Sequence, residues 1–121
     1  MNSKRTIEQI FELVRADPTD VPSRLKLADL YAKTGDLPNA LQQYEWVAKY
    51  YAYVGFALKA IAVYKQICTM VARDAPELRH RYTHVPPILA DLFERLGVHD
   101  MAVNALDALG PNPSSGRHGP S

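Results

Sequence analysis

Apolar residues recur with helical spacing along most of the chain, and polar residues fill the positions between them. The first stripe, between residues 4 and 16, consists of Ile7, Ile10, Phe11, Leu13 and Val14. No segment shows the alternation that is typical of a strand, so the predicted fold class is all-α. Further helices are predicted at about 22–34, 37–54, from Gly55 to about 73, 87–96 and 99–109, with a short helical piece near 76–83.

Prolines and polar caps predict where several of these helices begin. Pro22 suits the first turn of its helix, where a missing N–H has no cost. Asp74 is predicted to cap the short piece near 76–83, with Pro76 in its first turn. The Pro-Pro pair after Val85 breaks whatever helix precedes it. The last segment, residues 110–121, has no apolar anchor and is predicted to be disordered.

A template of small, large, glycine, small and large residues occurs three times at spacings of 0, 3, 7, 12 and 16. Small residues let two antiparallel helices approach closely, and the large residues fill the space beside them. The glycine supplies the left-handed conformation that ends the first helix. The three copies are Ala28, Tyr31, Gly35, Ala40, Tyr44; then Ala48, Tyr51, Gly55, Ala60, Tyr64; and Ala90, Phe93, Gly97, Ala102, Leu106.

These positions resemble the tetratricopeptide repeat (TPR), a helix–turn–helix unit. The resemblance implies antiparallel repeats stacked as a short TPR-like α-solenoid over residues 1–109, and protein binding as the function. Pro18 falls where the closing proline of a preceding unit belongs, so the helix at 4–16 resembles the second half of a repeat. The second copy follows after only 20 residues instead of the family's 34, and the third after 42. The helix at 37–54 is therefore shared by two motifs.

An aromatic stripe on the shared helix is the first candidate for partner contact. Trp46, Tyr50 and Tyr53 lie at i, i+4 and i+7, well away from the template face. A helix with two apolar faces is expected to have a contact on each face. Either both are neighbouring helices of this chain, or the stripe lines a groove for a partner's peptide or helix, with Lys49 beside it.

A charged face is the second candidate. Lys26, Asp29 and Lys33 are expected on the exposed side of the helix at 22–34, together with Arg24. The TPR resemblance places some of them on the concave surface, where ligands of that family usually lie. A solvated charged face is the favoured explanation for them. Leu25 and Asp29 occupy two of the positions where some members clamp a carboxylate with lysine and asparagine, so that type of clamp is not expected.

The charge and composition of the chain argue against several classes of function. The formal charge of +1 gives no reason to expect nucleic acid or anionic lipid as a partner. No signal peptide or membrane span is visible, which predicts a soluble, cytoplasmic protein. The single cysteine, Cys68, suits a reducing compartment and is expected to be a buried, unreactive thiol.

Little in the sequence points to catalysis, metals or cofactors. Glu77, His80 and His84 are spaced i, i+3 and i+7 and could share a helix face with zinc-binding side chains. Neighbouring arginines and Pro86 favour ordinary solvated histidines instead. There is no phosphate-binding glycine loop and no evident nucleophile, histidine and acid arrangement, so we expect neither an enzyme nor a cofactor.

The sequence thus predicts a non-catalytic protein–protein interaction module, a scaffold or adaptor. Two alternatives stay open. The chain could self-associate as a structural subunit, because its first and last helices are incomplete repeats, with the apolar stripe of residues 7–14 as the contact. It could also be a chaperone-like escort of a secreted or assembling partner.

Overall fold

Residues 3–111 are described by a computed structural model, and all regular structure in this part of the chain is helical. The all-α prediction is therefore confirmed for these residues. A 3₁₀ helix, Pro76–Arg81, lies between the fourth and fifth α-helices. The α-helices are α1 (Ser3–Ala16), α2 (Val21–Lys33), α3 (Leu37–Tyr53), α4 (Ala57–Asp74), α5 (Val85–Arg95) and α6 (His99–Ala105).

The described residues form two compact units, which divide between Val63 and Tyr64 inside α4. In the first unit, α2 packs against both α1 and α3. The core of this unit is built from template residues and their neighbours, which explains why small and large residues recur there. Its most deeply buried members are Leu27, Ala28, Ala40, Leu41, Val47 and Ala48.

Two aspartates begin helices of the first unit. The carboxylate of Asp20 accepts hydrogen bonds from the backbone N and the hydroxyl of Ser23, at 3.1 and 2.7 Å. Asp36 accepts from the backbone N of Asn39 in the same way at the start of α3. Each aspartate thereby satisfies an N–H group that the helix leaves without a partner.

In the second unit, α5 packs against α6. Arg79 of the 3₁₀ helix binds the end of the described chain. Its guanidinium donates hydrogen bonds to the carbonyl oxygens of Leu109 and Gly110. The core of this unit includes Ile67, Cys68, Val71, Val85, Leu89 and Phe93.

The three template glycines end their helices with the same backbone motif. Gly35, Gly55 and Gly97 have φ values of 84°, 91° and 78°. The residue after each glycine donates a backbone hydrogen bond to the carbonyl of the large template residue, over 2.9 Å to Tyr31, 2.8 Å to Tyr51 and 3.0 Å to Phe93. This is the Schellman motif, so the template glycine was correctly predicted from sequence.

Several local predictions were wrong. Asp74 does not cap the 3₁₀ helix, because it is the last residue of α4 and its carboxylate binds the guanidinium of Arg73. The last helix ends at Ala105 rather than near 109. Leu13 is exposed and does not share the inward face of α1 with the buried Val14. Leu106 is also exposed, although its template counterparts are buried.

The predicted tail begins at residue 110, but only Gly110 and Pro111 of it are described. The prediction of disorder for residues 112–121 lies outside the described residues.

Candidate functional site

The exposed side of α3 carries the predicted aromatic stripe, which we call the aromatic row (Trp46, Tyr50 and Tyr53). The indole of Trp46 and the ring of Tyr50 are stacked, with centroids 5.2 Å apart and planes 13° from parallel. Both side chains are half-buried. Their i, i+4 spacing brings the rings together on one side of the helix, so the stack forms within α3 itself.

Arg24 of α2 completes this stack. Its guanidinium carbon lies 3.8 Å from the centroid of the Trp46 ring. Its Nε donates to the carbonyl oxygen of Pro18 at 2.7 Å, and its Nη1 donates to Oε1 of Gln43 at 3.0 Å. A planar cation over an indole is favourable, and the two hydrogen bonds fix its orientation. Partial burial lowers the pKa of Arg24 from its ordinary value.

The row therefore has a covered end and an open end. Trp46 is covered on one face by the neighbouring helix α2, as one of the two sequence interpretations required. Tyr53 is different, since 89% of its surface is exposed. Lys49 lies exposed beside the row, and its amine is 3.8 Å from a carboxylate oxygen of Glu45.

Arg24 is the site residue that sequence reasoning missed. It was expected on the solvated face of α2, whereas the structure shows it half-buried against Trp46. The two residues are far apart in sequence and lie on different helices. Their pairing depends on how α2 and α3 pack, and no local pattern contains that information.

The second predicted surface, on α2, is a shallow depression of about 440 Å³. Its lining residues follow one another along a single helix, so it is an open face rather than a groove between helices. Asp29 accepts a hydrogen bond from the buried hydroxyl of Tyr44 on α3. Its carboxylate therefore has an internal partner. The lining consists of Pro22, Leu25, Lys26, Asp29, Leu30 and Lys33.

A groove of about 290 Å³ lies within the second unit, between α4, α5 and α6. Its floor includes the buried side chains of Cys68, Leu89 and Phe93, and Lys65 and Met101 lie at its rim. Burial raises the pKa of the Cys68 thiol to about 11, so the nucleophilic thiolate is scarce at neutral pH. The sequence prediction that Cys68 is buried is confirmed.

The three residues considered as metal ligands lie in different local structures. Glu77 and His80 are in the 3₁₀ helix, where a spacing of three residues differs in angle from that of an α-helix. His84 lies beyond that helix, with its ring 6.0 Å from the ring of Tyr82. Among residues 3–111, no group of three or more histidine, cysteine, aspartate or glutamate side chains is placed to hold a metal ion.

Comparisons of the chain with protein-family models, with curated proteins and with solved structures gave no match. Within the described residues, no helix is both long enough and apolar enough to cross a membrane. The fold class and the geometry of the aromatic row are therefore the observations from which a function is argued.

Proposed function

We propose that the protein is a non-catalytic interaction module that binds a peptide or helix of another protein on the aromatic row. The observation that supports this proposal is the stack of Arg24, Trp46 and Tyr50, with the exposed Tyr53 further along α3. Arginine, tryptophan and tyrosine are the residue types that contribute most binding energy in protein interfaces.

The stack is also rigid before any partner arrives. Arg24 has three separate contacts, with Pro18, Gln43 and Trp46, so its long side chain has little conformational freedom left to lose. Ordering a flexible side chain on binding costs roughly 0.5–1.5 kcal/mol, and a side chain that is already ordered avoids most of this cost. The partner meets a flat surface of fixed shape, with Tyr53 projecting at one end.

The chemistry of this surface suits an apolar side chain with polar neighbours. The solvent-exposed parts of Trp46 and Tyr50, both half-buried, offer apolar contact, while Lys49 beside them can pair with a carboxylate of the partner. Lys49 already lies near Glu45, but an exposed pair of this kind contributes little energy and can exchange partners readily.

We further propose that the scaffold beneath this surface is a short, irregular TPR-like array. The Schellman turn at all three template glycines and the burial of five of the six template alanines support this view. In such an array each helix pair is stabilised by its neighbours, and the exposed faces are available for ligands. The row would then use the outer face of the helix that two motifs share.

Site-specific photo-crosslinking tests the proposed surface. A photoreactive phenylalanine analogue placed at position 53 should crosslink one defined partner in extracts of the source cells. The same analogue at the exposed Gln9 on α1 is the matched control and should not crosslink that partner. Equal crosslinking from both positions, or none from position 53, would contradict the proposal.

A further inference from the structure

The turn between α3 and α4 is far more apolar than its template counterpart. Val54, Phe56 and Leu58, which we call the turn patch, are all exposed, Leu58 to 72%. The equivalent residues of the first copy are the polar or turn-forming Thr34, Asp36 and Pro38. The two turns have the same backbone hydrogen bonds, so the turn itself does not require apolar side chains.

Only part of the turn patch is explained by packing. The ring of Phe56 lies 6.3 Å from that of Tyr51, a contact that commonly accompanies this type of turn. No such contact accounts for Leu58. Exposed apolar side chains that cluster on a protein surface are typical of an interaction site.

The turn patch lies in a basic part of the chain. There is no aspartate or glutamate between residues 46 and 73, although this stretch includes Lys49, Lys59, Lys65 and Arg73. The amine of Lys59 lies 5.1 Å from the centroid of the Phe56 ring, and no carboxylate pairs with it in the described structure. A complementary surface should therefore be apolar and acidic.

The end of the described chain presents such a surface. Val103 and Leu106, which we call the end face, are 51% and 56% exposed. In the two preceding copies the counterparts of Val103 are Leu41 and Ile61, which are 0% and 6% exposed. The counterparts of Leu106 are Tyr44 and Tyr64, each 2% exposed. Within the described residues, the end face thus has the apolar residues that are buried in the preceding copies, but they are exposed here.

The end face is acidic. Asp100, Val103 and Leu106 follow one another at intervals of three residues, which places them on one side of α6 and its last turn. Asp107 comes directly after Leu106, and both aspartates are exposed. There is no lysine or arginine between residues 96 and 111, and His99 is engaged with Glu94 at 2.9 Å.

We propose that two copies of the chain associate head to tail, with the turn patch of one copy seated on the end face of the other. Apolar residues then cover one another, and Lys59 meets Asp100 or Asp107. The contact is heterologous, so it leaves one turn patch and one end face free and can add further copies. This proposal does not rest on partner binding at the aromatic row.

The stripe of residues 7–14 is a poorer surface for self-association. Val14 is buried, and Ile7 and Ile10 are half-buried, in a helix that packs against α2. Phe11 and Leu13 are its exposed apolar members. The head-to-tail contact therefore replaces this stripe as the proposed site of self-association.

Sedimentation of the wild type and three matched variants tests the contact. The wild type should show a mass that rises with concentration and a self-association that weakens as salt is added. Leu58→Asp and Val103→Asp should each weaken self-association about tenfold or more. Leu13→Asp, the same substitution at an exposed leucine of α1, should leave it unchanged. Circular dichroism verifies that each variant is folded.

Mixing the two defective variants gives the sharpest readout. Leu58→Asp retains an intact end face and Val103→Asp an intact turn patch, so an equimolar mixture should form a dimer that grows no further. A wild type that stays monomeric, a mixture that stays monomeric, or a loss of association in Leu13→Asp would each overturn the proposal. If an aspartate variant fails to fold, the surface charge variants Lys59→Glu and Asp107→Lys replace it, with the same expected loss and the same recovery on mixing.

Discussion

The buried hydroxyl of Tyr44 on α3 donates a hydrogen bond to the carboxylate of Asp29 on α2. The tyrosine is the last large residue of the first template copy, and the aspartate follows its first alanine. A polar group at the end of a buried ring therefore reaches an exposed carboxylate. This bond joins α3, which carries the aromatic row, to α2, which carries Arg24.

Removing the donor of this hydrogen bond and removing its acceptor should lower the free energy of unfolding by different amounts. Tyr44→Phe deletes the donor and leaves Asp29 to water, so we expect a loss of about 1 kcal/mol in the free energy of unfolding. Asp29→Leu removes the carboxylate that accepts from this buried hydroxyl and should cost more, about 1–3 kcal/mol. Asp29→Asn keeps an acceptor and serves as the control. Urea denaturation of the three variants gives the comparison, and equal losses for Tyr44→Phe and Asp29→Leu would contradict it.

The contact between Arg24 and Trp46 can be followed directly, because Trp46 is the only tryptophan of the chain. Arg24→Lys keeps the charge but loses the planar group and its two directed hydrogen bonds. We expect the fluorescence of Trp46 to shift to longer wavelength as water reaches the ring, with a stability loss of about 1 kcal/mol. Lys26→Ala, an exposed change on the same helix, should alter neither quantity. An unchanged emission spectrum in Arg24→Lys would exclude the stacked geometry.

Gly55 should tolerate asparagine better than alanine. Its φ of 91° lies in the left-handed region, and a Cβ added there would meet nothing within 4 Å. The cost of substitution is therefore backbone strain alone, about 1–2 kcal/mol for Gly55→Ala. Gly55→Asn should lose less, because asparagine adopts this conformation more readily. Thermal unfolding provides the measurement, and an alanine variant as stable as the wild type would show that the turn does not need this conformation.

The helices and their turns were predictable because their causes are local. A glycine seven residues after an alanine ends α2, α3 and α5 through its own backbone conformation, and Asp36 caps α3 three residues before the N–H that it binds. Contacts between helices could not be predicted in this way, because no local sequence pattern indicates them. Arg24 and Trp46 come together only because α2 and α3 pack.

The third template copy also shows that the burial of a side chain could not be predicted from the sequence pattern alone. Ala102 is buried as predicted, but Val103 and Leu106 are not. The sequence pattern at these positions is that of the earlier copies, and it contains no sign that these two side chains are exposed. Periodicity predicts which face of a helix is apolar, while burial of that face depends on what lies against it.

The thiol of Cys68 should react slowly for a physical reason that can be measured. Burial raises its pKa from 9.0 to about 11, so near pH 8 the thiolate fraction is about a hundredfold lower than in an ordinary cysteine. Alkylation by iodoacetamide should therefore be at least about a hundredfold slower in the native protein than in denaturant. Because the folded pKa is the higher one, the neutral thiol stabilises the fold below about pH 9, and this contribution is lost as the pH rises towards 11. A native rate equal to the denatured rate would contradict the burial of this side chain.

The proposal that the aromatic row binds a protein partner is tested most directly by the affinity of the partner crosslinked through position 53. The partner is purified, and its dissociation constant is measured by calorimetry with the wild type, Tyr53→Ala, Tyr50→Ala and the control Lys26→Ala. We predict that each tyrosine variant binds about tenfold or more weakly, because aromatic anchors dominate interface energies, while its melting temperature changes little at the exposed Tyr53. Lys26→Ala should bind like the wild type. Equal affinities for the wild type and both tyrosine variants would contradict the account.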